Sequence, residues 1–241
     1  MFYIEIAKLL VQVNNHYDLI LQKCEPYRAL PSREPDLIME ADAREIAAGQ
    51  AWFLQYEHAE IGEDEAEFSR APDTIYPKLP TFDAFWLHAV LIEMNGEGYA
   101  ITAPSGYGKS TQGRLWLKAF PDQARIINGD NPILRKEGDK FIAYGTPFCG
   151  KEGYQVNIGV PLKGLCYLKH GETNGIKRMD RALAFAQLVR GYQSRFTPGN
   201  QEKYMELLQQ FVETVPVYVL TCNQDVAAAR VAYEGMNHGR N

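Results

Sequence analysis

Residues 85–111 read FWLHAVLIEMNGEGYAITAPSGYGKST, and this stretch decides the fold. Two apolar runs, 85–93 and 98–103, are rich in β-branched and aromatic residues, which predicts two strands. Between them lies Met94-Asn95-Gly96-Glu97. A two-residue type I′ turn needs φ > 0 at both central positions, and Asn-Gly supplies it. The runs are therefore expected to form an antiparallel hairpin, pairing 94 with 97, 93 with 98, and on to 88 with 103. The second strand leads into Ala103-Pro104-Ser105-Gly106-Tyr107-Gly108-Lys109-Ser110-Thr111. A helix is expected over 109–120, ending before Pro121.

The nonapeptide has the pattern of a P-loop with Ala at the usual first glycine. Pro104-Ser105-Gly106-Tyr107-Gly108 is expected to hold the nucleotide: the small residues of this loop let successive backbone N–H groups, from Ser105 onward, converge on phosphate oxygens. The following helix adds its positive N-terminal end. Lys109 is expected to reach the β- and γ-phosphates, and the Ser110 hydroxyl to hold Mg²⁺, with Thr111 beside it. An apolar strand before the motif and an amphipathic helix after it favour this reading over a plain glycine turn.

Working outward, the hairpin register sets His88 across from Ala103. An imidazole there can donate a hydrogen bond or balance charge near a phosphate; a histidine satisfied within a strand is the bland alternative. Asp130 follows in RIINGD, 125–130. A carboxylate just past a strand suits Mg²⁺ coordination or acceptance of a proton from a hydroxyl. The run N-G-D-N-P is equally the composition of an ordinary turn.

The rest of the chain supplies more of both element types. Further strands are predicted at 125–128, 132–135, 140–144, 164–169 and 217–220, and helices at 181–190, 202–213 and 225–236. Strands, hairpins and helices intermix, so the class is α/β with a mixed sheet. Residues 1–80 read as a small α+β region, with strands near 2–6, 9–13 and 36–40 and helices near 17–24 and 42–57. Its acidic run 60–67 is expected to be a solvated loop or helix face, and Tyr3, Tyr17, Tyr27 and Phe53 to be core. Pro72, Pro77 and Pro80 punctuate a connection, which puts the division at 1–80 and 81–241.

Composition bounds the partners. Of 241 residues 46% are apolar and 23% charged, and 25 basic against 30 acidic residues give a net charge of −5. That argues against nucleic acid or an anionic membrane as a partner, so a bound polyanion must meet a local concentration of positive charge. No apolar run is long enough to span a membrane, and the apolar start lacks a basic n-region and a cleavage pattern. Cys24, Cys149, Cys166 and Cys222 are widely spaced, as expected of buried thiols in a cytoplasmic protein.

Residues 86–111, with the strand histidine, hairpin and A-P-S-G-Y-G-K-S-T, resemble the C-terminal catalytic domain of HPr kinase/phosphorylase. That domain belongs with the phosphoenolpyruvate carboxykinase-like P-loop proteins. I-I-N-G-D-N-P-I-L-R and Y-G-T-P-F-C-G-K-E (144–152) look like the smaller HPr-kinase-related proteins, some of which phosphorylate peptides or free serine; the likeness spans about 80–225. It implies an α/β mixed-sheet P-loop kinase core that transfers the γ-phosphoryl group of ATP, with Mg²⁺, to a serine-type hydroxyl of a peptide, protein or small molecule. Lys109 and Ser110 carry over as phosphate and Mg²⁺ contacts, Asp130 as general base or charge-stabilising acid, and His88 as its neighbour. Gly129 departs from the family, which usually has two adjacent aspartates at this strand end. A nucleotide-binding regulator without kinase activity is therefore the competing expectation. Lys151 and Glu152 are site candidates by position, with a solvated loop pair as the alternative. Arg195, in Q-S-R-F-T at 193–197, is a candidate phosphate contact on a substrate loop. HPr kinases form hexamers, so the resemblance also raises a homo-oligomer.

Overall fold

The computed structural model describes residues 1–192 and 197–238. The chain divides into two compact units, Met1–Leu79 and Pro80–Asn241.

In the first unit β1 (Phe2–Ile6) and β2 (Leu9–Val13) pair antiparallel. Their turn places Ala7 and Lys8 at φ 50° and 59°. Phe2, Ile4 and Ile6 are buried, while Tyr3 and Glu5 point the other way, as a strand requires. Then come α1 (Asp18–Cys24), β3 (Leu37–Met39), α2 (Ala43–Trp52) and α3 (Glu63–Arg70). β3 runs parallel to β2. Helix α2 starts with a capping box between Asp42 and Glu45 and continues into a π-helical turn at Phe53–Glu57. The prolines stand in 3-10 turns at Ala71–Thr74 and Tyr76–Phe82.

Two expectations for this unit need correction. Tyr27 is fully buried, but Tyr3, Tyr17 and Phe53 are only half-buried. Polar partners explain two of them: the hydroxyls of Tyr3 and Tyr17 donate to Gln12 and Glu63. The acidic run is not simply a solvated face either. It opens α3 and carries Glu67 inside, 1% exposed. The Glu67 carboxylate accepts the backbone N–H groups of His16 (2.6 Å) and Tyr17 (3.1 Å), which precede α1.

The second unit contains β4 (Ala84–Trp86), β5 (Ala89–Met94), β6 (Glu97–Thr102), α4 (Lys109–Ala119), β7 (Ala124–Asn128), β8 (Ile133–Glu137) and β9 (Lys140–Tyr144). It continues with β10 (Gly159–His170), β11 (Gly175–Arg178), α5 (Arg181–Tyr192), α6 (Gln201–Thr214), β12 (Val217–Cys222) and α7 (Ala227–His238). The main sheet runs β11-β12-β10-β6-β5-β7, and β4-β8-β9 joins it through the first residues of β10. β10 is parallel to β6 and β12, and the other pairings are antiparallel, so the fold is mixed α/β.

The β5–β6 hairpin has Asn95 and Gly96 at φ 55° and 78°, with a ladder from Met94↔Glu97 to Ala89↔Thr102. The run 85–93 is not one strand, however. Its first residues, in β4, pair with β8, and the chain bends at Leu87 and His88 before β5 begins. Three hydrogen bonds fix the bend. Leu87 N–H donates to Pro132 (2.9 Å) and Ala89 N–H to Asp130 (2.8 Å), while the Thr102 hydroxyl donates to the His88 carbonyl (2.7 Å).

Side chains of β5 and β6 alternate between two cores. Val90, Ile92, Tyr99 and Ile101 join Trp116 of α4 and Ala228, Ala229 and Ala232 of α7 on one face. Ala89, Leu91 and Ala100 join Phe85, Phe141, Leu188, Tyr204 and Phe211 on the other. Both faces of the strands are thus covered, which explains their unbroken apolar runs.

Replacing Glu67 by Ala leaves two backbone donors without their charged acceptor. The expected loss is about 1.5–3 kcal/mol per bond to a charged group before relaxation. Urea unfolding monitored by a probe within the first unit should show a lower midpoint for Glu67→Ala, with Glu67→Gln losing less.

Candidate active site

One edge of the main sheet collects the chemistry. β6, β7, β10 and β12 end there, and the antiparallel β5 begins there. From that edge emerge the 103–108 loop, Asp130, His170, Asn223 and His88.

The loop after β6 turns through Gly106 and Gly108, at φ 71° and 101°. Gly108 is the N-cap of α4 and makes no side-chain cap bond. The first-turn N–H groups of an α-helix have no intrahelical acceptor, so this uncapped end suits an anion. A Cβ added at Gly106 would meet nothing within 4 Å, so the space over the loop is open. Pro104, Ser105 and Gly106 are exposed, and Tyr107, Gly108, Ser110 and Thr111 half-buried. Lys109 lies back along the loop, 7% exposed, its Nζ donating to the Ala103 carbonyl at 3.3 Å. Burial pulls its ammonium below the ordinary lysine value, and the negative charges of Asp130 and Glu152 pull back against that.

Asp130 faces His88, with Nε2 3.0 Å from Oδ1. Both side chains are about one-third exposed. The other carboxylate oxygen, Oδ2, accepts from Asn131 Nδ2 at 2.9 Å. Each oxygen keeps a further lone pair for a proton or a metal ion.

The N-G-D-N-P turn is organised by Asn128, which is completely buried at the end of β7. Its Oδ1 accepts the backbone N–H groups of Asp130 (2.9 Å) and Asn131 (2.7 Å). Its Nδ2 donates to the Thr146 carbonyl (2.9 Å) and hydroxyl (3.2 Å). The Thr146 hydroxyl in turn donates to the Asn131 carbonyl at 2.8 Å. One amide therefore ties the aspartate turn to the 145–150 segment.

That segment also accounts for Gly129. A Cβ there would stand 2.4 Å from the Cys149 carbonyl oxygen, closer than real Cβ atoms come. Gly150, at φ 76°, likewise packs on Asp130, with its Cβ position 3.2 Å from the aspartate Cβ. The space a side chain at 129 would need is filled by neighbouring backbone.

Glu152 is not a free loop carboxylate. It pairs with Arg114 Nη1 at 3.0 Å, and Arg114 Nη2 donates to the Thr111 hydroxyl at 3.3 Å. Thr111 is thereby linked to the 151–152 turn, on which Lys151 is exposed. Arg195 lies outside the described residues. Cys24, Cys149, Cys166 and Cys222 are buried free thiols. No helix among the described residues is long and apolar enough to cross a membrane.

The sequence reading missed four contributors. Asn128 and Thr146 could be suspected only from their place beside N-G-D and Y-G-T. Arg114 stands one helical turn beyond Thr111 and Ser110, a spacing that was readable. His170 carries no local signal. It reaches the loop because β10 runs beside β6; its ring stacks on Tyr107 at 3.9 Å and 5°, with Nε2 3.1 Å from the Tyr107 carbonyl.

No protein-family model matches the chain, and no curated protein does. A solved structure with a distant likeness is the Hpr(Ser) kinase/phosphatase from Coxiella burnetii, at 11% sequence identity and a TM-score of 0.39, covering 64% of this chain and 95% of that one.

The Gly129 geometry gives a direct expectation. Gly129→Ala should lower stability by about 1–3 kcal/mol through overpacking against the 149 carbonyl. Gly129→Asp should do at least as much damage. Both are checked by the midpoint of urea unfolding; an unchanged midpoint for Gly129→Ala would refute the close packing.

Proposed function

We propose that the 80–241 unit is an ATP- and Mg²⁺-dependent phosphotransferase acting on a serine-type hydroxyl of a peptide, protein or small molecule. The observation that carries this reading is the His88–Asp130 pair, 3.0 Å apart, at the same sheet edge as the uncapped α4 end and the buried Lys109. A carboxylate held beside a polyphosphate site is what in-line transfer to a hydroxyl needs.

In this mechanism the loop amides and the α4 end bind the phosphate chain, and Lys109 neutralises charge that builds on its terminal oxygens. Asp130 accepts the proton of the acceptor hydroxyl as the oxygen attacks phosphorus and the bond to the β-phosphate oxygen breaks. His88 donates Nε2–H to Oδ1 and keeps the carboxylate aimed, while Asn128 holds the backbone beneath it. Ser110 and Asp130 are the residues that would hold Mg²⁺, which when bound supplies further neutralisation of phosphoryl charge. The pull of Asp130 on the Lys109 charge supports placing both groups in one electrostatic site.

Gly129 favours a second reading, a nucleotide-binding regulator that transfers nothing. Only one carboxylate stands where the family usually has two, and the Cys149 carbonyl leaves no room for the other.

A screen with γ-labelled ATP against serine, small alcohols, hydroxyl-bearing peptides and cell extract separates the two. Label on an acceptor supports the kinase; nucleotide binding with no labelled acceptor supports the regulator. Lys109→Ala should abolish measurable nucleotide binding. Asp130→Asn should retain binding within a few-fold and lose roughly 10²–10⁴-fold in transfer. Transfer by Asp130→Asn at the unaltered rate would remove Asp130 from its assigned role.

A further inference from the structure

A groove of ≈ 230 Å³ opens beside the loop, on the side of β6 where β10 and then β12 lie. Tyr107, Gly108, Thr111 and Gln112 form one wall, from the loop and the first turn of α4. Leu168, His170 and Gly171 at the end of β10, and Cys222, Asn223 and Gln224 after β12, form the other. Neither His88, Lys109 nor Asp130 lines it.

Gln112 is the unusual member. It is 2% exposed, its Nε2 donates to the Cys222 thiol at 3.2 Å, and its Oε1 is buried with no hydrogen-bond partner. A buried amide oxygen left unpaired is costly and calls for a missing donor. Its Nε2 holds only a weak acceptor, since a thiol sulfur is a poor one. Asn223, by contrast, is already used: its Nδ2 donates to the Glu172 carbonyl and its Oδ1 accepts from Asp225 N–H.

We propose that this groove is the base subsite for an adenine nucleotide, with Gln112 reading the adenine edge. The proposal rests on the phosphate-binding reading of the 103–111 loop. Three observations carry it. The groove adjoins the loop at Gly108 and Thr111, so a phosphate chain on the loop amides leads into it. Its volume falls below the roughly 300–1,000 Å³ of sites for drug-sized ligands, which suits one base better than a peptide. The primary amide of Gln112 offers an acceptor beside a donor, and adenine presents a donor beside an acceptor, the bidentate match for glutamine. Guanine and hypoxanthine present a carbonyl oxygen where adenine has its amino group, so they leave Oε1 facing another acceptor. The stacked rings of Tyr107 and His170, with Leu168, give the groove the flat and apolar surface a base packs on.

Calorimetry on the full chain tests this with four probes: ATP, ITP, GTP and inorganic tripolyphosphate. ATP should bind at least about tenfold tighter than ITP or GTP, because a site built around a donor rejects the analogue lacking it. It should also bind tighter than tripolyphosphate. Gln112→Leu should bring ATP to the level of ITP. His170→Ala, an exposed change, should weaken ATP by roughly 5–100-fold. Gln112→Leu should leave tripolyphosphate binding unaltered. ATP no tighter than tripolyphosphate, or an ATP-to-ITP ratio unmoved by Gln112→Leu, overturns the groove while the loop reading stands. Absence of binding by both ATP and tripolyphosphate overturns the loop reading and the groove together.

Discussion

The register of the β5–β6 hairpin is the constraint on which the second unit depends. Asn95 and Gly96 take up positive φ together, and this fixes Met94 opposite Glu97. Strand side chains alternate between faces, so a slip of one residue would exchange the two sets. Val90, Ile92, Tyr99 and Ile101 would leave the α4–α7 core, and Ala89, Leu91 and Ala100 would leave the core beneath α5 and α6. With both faces buried, no alternative pairing has anywhere to put these residues. The same register carries the end of β6 to the bend at His88, where the Thr102 hydroxyl bonds the histidine carbonyl. The core and the site are therefore set by one turn.

A second layer of control acts on Asp130. The carboxylate sits on a turn whose composition would allow many conformations, and three features remove that freedom. Asn128, fully buried, accepts two successive backbone N–H groups across the turn. Gly129 admits the Cys149 carbonyl against the chain, and Gly150 packs on the aspartate itself. His88 then meets one carboxylate oxygen and Asn131 the other. The net charge of −5 fits the same scheme. Positive charge is concentrated as a helix end, loop amides and one buried lysine whose charge is opposed by burial. In the proposed reading a bound polyphosphate supplies the counter-charge that favours the ammonium form.

What the sequence made legible was local. Asn-Gly between apolar runs specifies a turn by backbone sterics alone, and its ladder follows the register read from residues 94–97 outward as far as Ala89↔Thr102, stopping short of the expected pair 88 with 103 because the chain bends at His88. The glycine-rich loop and the helix after it are likewise short-range patterns. The break between β4 and β5 was not legible, because Trp86 and Ala89 look equally strand-like and only pairing with β8 draws the first of them away. Glu67 could not be told from its acidic neighbours, since its partners lie about fifty residues earlier in the chain. His170 and Gln112 were invisible for a related reason. Each acquires meaning from parallel pairings, β10 beside β6 and β12 beside β10, and a parallel pairing leaves no turn in the sequence to announce it.

Strand order also gives the candidate site a direction. β6, which ends in the loop, has β5 and then β7 on one side and β10 and then β12 on the other. His88 and Asp130 belong to the first side, and the groove under Tyr107 and His170 to the second. A nucleotide lying along the loop with its base in that groove would point its terminal phosphate toward Asp130. An acceptor hydroxyl would then approach from the β5–β7 side and never cross the base. Reversing the nucleotide would put the aspartate beside the base and leave Gln112 beside phosphate, with an unpaired carbonyl oxygen facing an anion. The two side chains thus favour the same orientation for kindred reasons: each presents an acceptor oxygen, Asp130 to the proton of the hydroxyl and Gln112 to the amino group of the base.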